Sequence, residues 1–365
     1  MVDELPHAKR KGRAAVSNAT GRYERETRVA THDGWALGEN GDGDLPPLRT
    51  HIHMDTVKSA FAWNSSPDIP FDRSLNPYRG CEHGCIYCYA RATHAYLNLS
   101  PGLDFETQLF VKKGLAAALE KELRKPSYKV APVMIGANTD GYQPIEREYK
   151  STREVLEVLQ AYRHPLVVIT KNYLVTRDID ILAEMAQDNL VTVAISLTTL
   201  DHKLANQMEP RASTPKRRLK AMEDLSKAGV PVAVFAAPMI PTLNDHELES
   251  ILEAGANAGA STAAYILVRL PLELKALFQE WLETYQPHKA KRVMSLLKQS
   301  RDGQLYVHEF GTRMTGSGVH AKLLNQRYHV ACKKLGLIPA EPGEVKLNCD
   351  AFLRPPRPGD QLSLI

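Results

Sequence analysis

The stretch NPYRGCEHGCIYCYAR, residues 76–91, places Cys81, Cys85 and Cys88 close together in a loop that also contains Gly80 and Gly84. The chain of 365 residues has five cysteines, and three of them are clustered here. An odd, clustered set is not typical of a disulfide framework. The pattern instead favours metal or redox chemistry in a reducing compartment.

The spacing of the three cysteines is C-x3-C-x2-C. A 4Fe-4S cube that only transfers electrons takes four thiolates, one for each iron. Three thiolates leave one iron open for a substrate or cofactor, much as a catalytic zinc keeps an open position. Zinc is an alternative, with His83 as fourth ligand, but His83 lies only two residues from Cys81 and from Cys85. Buried structural thiols are a further alternative, although they leave a polar, glycine-rich loop unexplained.

From about residue 70, short β-branched runs alternate with amphipathic helical segments. This alternation predicts parallel strands with right-handed crossovers, as in an open sheet or in a full or partial barrel. In such folds the chemistry lies at the carboxyl ends of the strands. The predicted strands are Tyr128–Ala137, Leu166–Thr170, Leu190–Ser196, Val230–Ala236 and Ala263–Val268, with SLNPYRG before the cysteines as a first.

Two helix ends are predicted from local signals. Ser151 and Glu154 form a candidate capping box at the start of STREVLEVLQAYR, and Gly229 follows TPKRRLKAMEDLSKA, where a C-terminal cap is expected. Beyond residue 270 the alternation is expected to stop, because the remaining segments have only helical patterns before a Pro-rich end.

The cysteine motif, with Tyr87 before its last cysteine and a position after the first strand, resembles the signature of radical S-adenosylmethionine (SAM) enzymes. The resemblance covers roughly residues 70–270 and implies an α/β fold with a partial (β/α)6 barrel. It implies that Cys81, Cys85 and Cys88 hold a 4Fe-4S cluster. It also implies that the open iron binds SAM, which one electron cleaves to methionine and a 5′-deoxyadenosyl radical. A reductase or flavodoxin-type protein is the implied electron donor.

Polar residues at successive strand ends fit the binding of such a cofactor. An acidic side chain at Asp140, beside Thr139, is expected to pair with the ammonium group of SAM. Lys171 ends the next strand, where it is expected to meet the carboxylate, and Ser196 with Thr198 ends the one after. Arg211 is a further candidate for binding a carboxylate or phosphate. Each of these residues has an alternative as a turn, loop or surface residue.

Within the family the sequence resembles spore photoproduct lyase and a group of uncharacterised relatives. The likeness includes Tyr87 and Tyr89 around the last cysteine, together with the strand-end residues Thr139, Asp140, Lys171 and Ser196. The lyase carries a hydrogen-donor cysteine three residues before the aspartate, where this chain has Ala137. Cys332 and Cys349 are therefore candidate hydrogen donors, with buried structural roles as the alternative.

The remaining chain divides by composition. Residues 1–55 are basic, polar and rich in glycine, which predicts a mostly disordered arm. Residues 56–270 form the predicted core, 271–350 a helical cap and 351–365 a Pro-rich tail. With no apolar run long enough for a membrane span, we expect a cytoplasmic protein without membrane contact.

The last five residues, Gln361–Ile365, read QLSLI and resemble the peptide that docks bacterial repair proteins on the DNA sliding clamp. A net charge of +4 permits nucleic-acid contact. Damaged or modified DNA is the leading substrate hypothesis. Open alternatives are a protein, RNA or small-molecule substrate of the same chemistry, and a non-catalytic metal-binding module.

Overall fold

Strands and helices alternate along most of the chain. The structure is a computed structural model that describes residues 9–28, 48–340 and 345–356. Its strands, in chain order, are β1 His51–Thr56, β2 Ala62–Trp63, β3 Arg73–Leu75, β4 Tyr78–Arg79, β5 Gln108–Lys113, β6 Val133–Ile135, β7 Leu166–Thr170, β8 Val191–Ser196, β9 Val232–Met239, β10 Thr262–Leu267 and β11 Ile338–Pro339. Its α-helices are α1 Leu103–Thr107, α2 Leu115–Leu123, α3 Glu146–Tyr149, α4 Ser151–Ala161, α5 Ile179–Gln187, α6 His202–Met208, α7 Pro215–Lys227, α8 Leu248–Asn257, α9 Leu274–Tyr285, α10 Pro287–Gln299 and α11 Gly318–Leu335.

Among the described residues the main sheet has eight strands in the order β11-β10-β9-β8-β7-β6-β3-β2. Strands β3, β6, β7, β8, β9 and β10 pair parallel in succession, while β2 pairs antiparallel with β3. Six parallel strands in chain order, with helical connections between them, confirm the predicted partial (β/α)6 barrel. A smaller sheet, β1-β5-β4, was not predicted from the sequence.

The strand predictions differ most at β6, which spans only Val133–Ile135 of the predicted Tyr128–Ala137. Pro132 precedes it and has no amide hydrogen to donate to a neighbouring strand. Gly136 ends it with φ +92°, and a Cβ atom there would lie 2.1 Å from the Ile169 carbonyl oxygen of β7. Glycine is therefore required where the chain leaves β6 toward the site.

The predicted capping box of α4 is wrong, because Ser151 lies inside the helix and caps no amide. The buried carboxylate of Glu146, in α3, accepts from the amide nitrogens of Thr152 at 2.9 Å and of Arg153 at 3.3 Å. The C-terminal cap of α7 is confirmed, since Gly229 follows the helix with φ +82° and its amide donates to the Ser226 carbonyl oxygen at 3.0 Å.

The segment 271–350 divides into two parts, where the sequence predicted only a helical cap. Helices α9 and α10 bury Phe278, Trp281 and Val293 in one apolar cluster with Cys85 and Tyr87 of the cysteine loop. Helix α11 packs into the main core instead, and β11 pairs parallel with β10. The alternation therefore continues past residue 270.

Two terminal segments pack on the fold. Residues 9–28, which lie in the predicted disordered arm, include the buried side chains of Arg13, Ala14 and Ala15. Residues 345–356 run along the amino edge of the sheet, where the Phe352 ring packs near Tyr128. The docking peptide Gln361–Ile365 lies outside the described residues. Over the described ranges, no helix combines the length and apolarity that a bilayer crossing requires.

Candidate active site

The three clustered cysteines lie in a loop that leaves β4 at the carboxyl edge of the main sheet. Backbone hydrogen bonds fold this loop on itself, from the Gly84 amide to the Cys81 carbonyl oxygen and from the Cys88 amide to that of Cys85, both at 3.2 Å. The Cys81 amide donates to the Phe105 carbonyl oxygen at 3.0 Å, which fixes the loop to α1. Cys81 and Cys85 are buried, while Cys88 is half-buried.

The three thiols lie close enough to influence one another electrostatically. Burial, then the Asp140 carboxylate and then the other two thiols raise the pKa of Cys81. Burial, the Glu209 carboxylate and the Cys88 thiol raise the pKa of Cys85 to about 12. The Lys171 ammonium opposes this shift at Cys85 and Cys88. In the described part of the chain no group of three or more His, Cys, Asp or Glu side chains is placed to hold a metal ion as it stands. A cubane takes its thiolates on separate irons, so its ligands surround a cluster and do not converge on one ion.

A buried ion pair supports the loop from behind. The Arg91 guanidinium donates to the carbonyl oxygens of Gly84 and Cys85, each at 2.8 Å, and pairs with the Glu106 carboxylate at 2.5 Å. Gly84 has φ +65°, and a Cβ atom there would lie 2.8 Å from Glu106 Oε2. The loop therefore packs directly on this carboxylate, and only glycine fits at that position.

The N-terminal segment, residues 9–28, completes this support. The amides of Ala14 and Ala15 donate to the Glu106 carboxylate at 3.1 and 2.9 Å. Arg13 Nη1 donates to the Glu106 carbonyl oxygen at 2.6 Å. Glu106 is fully buried and accepts charge-assisted hydrogen bonds on both oxygens. Sequence reasoning missed this carboxylate because it lies in a short helix with no strand end or motif to mark it.

Asp140, an expected partner of the SAM ammonium group, makes four contacts within the protein. Its carboxylate accepts from the Lys171 amide at 2.8 Å, the Thr170 hydroxyl at 2.7 Å and the Tyr142 amide at 2.9 Å, and it lies 3.3 Å from His83 Nδ1. Burial alone would raise its pKa, but the His83 ring and these hydrogen bonds lower it to about 2. Asp140 therefore ties the cysteine loop to β7, and its contact with a cofactor stays a prediction.

His83, the candidate fourth zinc ligand, has a protein partner at each ring nitrogen. Nε2 lies 3.0 Å from the Asn172 side-chain amide and Nδ1 lies 3.3 Å from the Asp140 carboxylate. The ring thus links the loop to the end of β7, and neither nitrogen is directed at the thiols.

The other residues that were predicted to bind the cofactor differ in their contacts within the protein. Thr139 is buried, and its hydroxyl donates to the Tyr78 carbonyl oxygen at 2.9 Å. Ser196 is buried at the end of β8, where its carbonyl oxygen accepts from Arg218 at 3.1 Å. The Lys171 ammonium lies 5.8 Å from the centre of the Tyr87 ring. Among the described residues, no hydrogen bond or ion pair holds this ammonium, so Lys171 is the predicted residue best placed to bind an added anion.

A second buried ion pair lies beside Cys85 and was not found from the sequence. Glu209 and Arg218 pair at 2.5 Å, and both side chains are almost fully buried. The Glu209 carboxylate also accepts hydrogen bonds from the Tyr87 and Thr198 hydroxyls, and the Cys85 sulfur lies 3.9 Å away. Tyr87 and Thr198, which were predicted to bind a cofactor, thus share one carboxylate.

The two remaining candidates lie at the rim. The Arg211 guanidinium, partly exposed, pairs with Glu82 of the cysteine loop. The half-exposed Tyr89 donates its hydroxyl to the Ala137 carbonyl oxygen, and the Arg269 guanidinium lies 5.2 Å from the centre of its ring. Tyr89 therefore lies beside Ala137, just after the end of β6.

The proposed hydrogen donors Cys332 and Cys349 are not brought to this site, which corrects that prediction. Cys332 is fully buried in the main core near Tyr328, whose hydroxyl donates to the carbonyl oxygen of Ala263 at the start of β10. Cys349 lies in the tail, where the neighbouring Asn348 amide donates to the Asn189 carbonyl oxygen just before β8. Both cysteines therefore lie at the amino edge of the sheet, opposite the cysteine loop.

A loop of three cysteines at the carboxyl edge of a six-stranded parallel partial barrel defines a class of enzyme. Residues 75–255 match the sequence model of the radical SAM superfamily. An uncharacterised protein of Mycobacterium tuberculosis strain H37Rv is 38% identical over 252 residues, which cover 68% of this chain and 74% of that protein. An uncharacterised protein of Methanocaldococcus jannaschii is 28% identical over 173 residues, 47% of this chain and 62% of that protein.

Among solved structures, spore photoproduct lyase complexed with dinucleoside spore photoproduct is similar, with a TM-score of 0.56 and 17% identity over 79% of this chain and 81% of that one. A mutant of the same lyase with bound AdoMet and dinucleoside spore photoproduct has a TM-score of 0.56 and 16% identity over the same shares. These likenesses show the fold. The chain belongs to the radical SAM superfamily, whose members cleave SAM to start radical reactions, and the family implies SAM and a 4Fe-4S cluster as cofactors.

Proposed function

We propose that the protein holds a 4Fe-4S cluster on Cys81, Cys85 and Cys88, cleaves SAM reductively and acts on damaged or modified DNA. When bound, the reduced cluster supplies the electron that breaks the sulfonium carbon–sulfur bond, giving methionine and a 5′-deoxyadenosyl radical that removes a hydrogen atom from substrate. The observation that carries this proposal is a loop of three mutually close thiols with no fourth cysteine beside them among the described residues. Three thiolates suit a cluster that keeps one iron open.

The chain contributes a rigid loop and a positive charge beside it. Arg91 donates to two carbonyl oxygens of the loop, and Asp140 fixes the Lys171 backbone and the His83 ring. The Lys171 side chain extends from this fixed backbone, and its ammonium lies near enough to Cys85 and Cys88 to lower the pKa of both thiols. Over the part of the chain that the structure describes, no carboxylate or carbonyl oxygen engages this ammonium, which suits it to bind the carboxylate of SAM.

The DNA substrate is proposed from the fold and from the residues at the rim of the site. The fold is shared with a lyase that was solved with dinucleoside spore photoproduct, and the rim of the site adds a second observation. There the exposed Tyr89 ring and the Arg269 guanidinium lie together, an aromatic and cationic pair suited to a base and a phosphate. Docking of Gln361–Ile365 on the sliding clamp belongs to this proposal, and deletion of residues 361–365 is expected to abolish clamp binding in a titration.

The cluster is tested by anaerobic reconstitution with iron and sulfide. We expect a brown protein with broad absorbance near ~400 nm from thiolate-bound iron and sulfide. Cys85→Ala is expected to lose bound iron, sulfide and SAM cleavage together. Cys349→Ala is the matched control, because it removes a thiol at the amino edge and is expected to retain all three. Retention of the cluster by Cys85→Ala would show that the ligands are wrongly assigned.

The substrate is tested by the rate of 5′-deoxyadenosine formation by the reconstituted protein with dithionite as reductant. Ultraviolet-irradiated DNA is expected to raise this rate over intact DNA of the same sequence. A slow rate that neither DNA changes would retain the SAM chemistry and point to a protein, RNA or small-molecule substrate. Absence of the product with a fully loaded cluster would contradict the enzyme proposal.

A further inference from the structure

A basic cavity lies at the carboxyl edge of the sheet, beside the cysteine loop. It has a volume of about 250 Å³, is partly open to solvent and is lined by residues that follow β7, by α3 and by the start of α7. Its lining includes Arg147, Arg177 and Arg217, and no acidic side chain lines it. At about 30 Å³ of liquid volume for each water molecule, the space exceeds what a phosphate group needs.

Two of the three arginines have no carboxylate partner. Arg177 pairs with Glu146 and Asp178, so its charge is already matched. Within residues 9–28, 48–340 and 345–356, no ion pair or hydrogen bond engages the guanidinium of Arg147 or Arg217. The Arg217 guanidinium carbon lies 3.7 Å from the centre of the Tyr173 ring, and this cation–π contact leaves the N–H groups of the guanidinium free to donate.

The polar floor of the cavity reaches the cysteine loop. The Ser213 hydroxyl donates to the Asn172 side-chain oxygen at 3.2 Å and accepts from the Tyr173 amide at 2.9 Å. The side-chain nitrogen of Asn172 contacts His83 Nε2 of the cysteine loop at 3.0 Å. Asn172 therefore both lines the cavity and contacts the loop of the candidate cluster. The N-terminal end of α7, with Thr214 as its cap, adds positive potential on the same side.

We propose that this cavity binds a phosphate group of the nucleic-acid backbone and so positions a DNA substrate over the carboxyl edge. That the substrate is DNA rests on the proposed function. That the cavity binds phosphate rests on its lining residues alone. Two unpaired guanidinium groups, each with several donors in one plane, match the geometry of phosphate oxygens. A backbone contact of this kind is independent of base sequence.

The test uses the full chain with its cluster reconstituted and compares the wild type with the double variant Arg147→Gln/Arg217→Gln. Anisotropy titrations with a fluorescent single-stranded oligonucleotide are made over a series of salt concentrations. We expect the double variant to bind about tenfold more weakly and to lose about one phosphate contact from the salt slope. Arg163→Gln is the matched control, because Arg163 lies before β7 at the amino edge and is paired with Asp188. It is expected to bind like the wild type.

An abasic oligonucleotide and pyrophosphate distinguish the sources of phosphate. Equal losses on the abasic and the ordinary strand support a backbone contact. Pyrophosphate binding that the double variant loses, with oligonucleotide binding unchanged, would overturn the DNA role and leave a small-molecule phosphate site. No change in either titration would overturn the site itself. Formation of 5′-deoxyadenosine by the wild type is measured in parallel, so that failure of the radical chemistry is recognised separately from failure of phosphate binding.

Discussion

At the scale of single residues, the buried Arg91 contributes most to the shape of the cysteine loop. Its five donors reach carbonyl oxygens of the loop, of Pro101 and of Gly102, and the Glu106 carboxylate. We expect Arg91→Met to lower the free energy of unfolding by about 3 kcal/mol, because it leaves Glu106 as a buried charge without its cation. Urea denaturation measures this change, and iron content after reconstitution is expected to fall with it.

The double variant Arg91→Met/Glu106→Gln separates charge from packing. Removing the second charge is expected to recover part of the lost stability, since the uncompensated carboxylate is then absent. Iron content should recover less, because the carbonyl oxygens of Gly84 and Cys85 still lack their donor. Equal stability of the wild type and Arg91→Met would contradict the role assigned to the ion pair.

His164 predicts a dependence of stability on pH. It is fully buried at the amino edge, with Nδ1 2.9 Å from the Pro165 carbonyl oxygen and Nε2 2.6 Å from the Tyr128 hydroxyl. Burial lowers its pKa from 6.5 to about 4. Because the folded-state pKa lies below the unfolded value, the contribution is complete above about pH 6.5 and is lost as pH falls toward 4. We expect this ring alone to remove about 1 kcal/mol of stability between pH 7.5 and 5.5.

Denaturation of the wild type and of His164→Gln at the two pH values checks this expectation. Glutamine retains an acceptor for the Tyr128 hydroxyl but does not titrate, so the variant should lose less stability on acidification. His94 has a pKa that burial also lowers to about 4, and it titrates equally in both proteins. The difference between the two proteins therefore isolates His164, and identical pH dependences would refute the assignment.

Residues that follow a strand could be predicted from the sequence, whereas residues that support them could not. Asp140 and Lys171 were found because the carboxyl ends of parallel strands meet at one edge. Glu209 follows α6, and Glu106 lies within α1, so neither carries such a signal. Their partners Arg218 and Arg91 are recognised only when the fold has brought buried opposite charges together.

At the scale of elements, the first amides of α4 are capped by a carboxylate from the preceding helix, α3, and not by a capping box within α4. Glu146 accepts from two amides of α4, pairs with Arg177 and accepts from the Tyr78 hydroxyl. Glu146→Ala is expected to lower the free energy of unfolding by about 3 kcal/mol, because buried donors lose their acceptor. Glu154→Ala is the matched control at an exposed position and should stay within about 0.5 kcal/mol of the wild type. A larger loss of stability for Glu154→Ala would instead support the predicted capping box of Ser151 and Glu154.

Element prediction succeeded where apolar runs were continuous. Strand β7 was predicted with its observed bounds because both of its faces are buried, which gives an uninterrupted run of Leu, Val and Ile. Strand β1 was missed because its sequence, HIHMDT, alternates polar residues on a mostly exposed strand. The prediction for β6 was too long, because Pro132 and Gly136 end the strand on either side although the surrounding sequence is apolar.

At the scale of the whole molecule, residues 9–28 and 345–356 pack at opposite edges of the sheet. The tail near Phe352 packs against Tyr128 and Tyr162 at the amino edge. The N-terminal segment covers the back of the cysteine loop at the other edge. Composition did not reveal this second contact, because it is made by backbone amides and by small side chains such as Ala14 and Ala15, which carry little periodic hydrophobic signal.

Removal of residues 1–24 tests whether the N-terminal segment supports the site. The truncated protein would lose the amides that donate to Glu106 and the Ser17 hydroxyl that donates to Glu280 of α9 at 2.6 Å. We expect a loss of about 3 kcal/mol in the free energy of unfolding, since hydrogen bonds to a buried carboxylate are charge-assisted. Iron should also be removed faster by a chelator, because the loop is uncovered on that side.

Removal of residues 1–8 alone keeps all these contacts and is expected to match the full chain. If both truncations behave like the full chain, the cysteine loop is held by Arg91 and α1 alone.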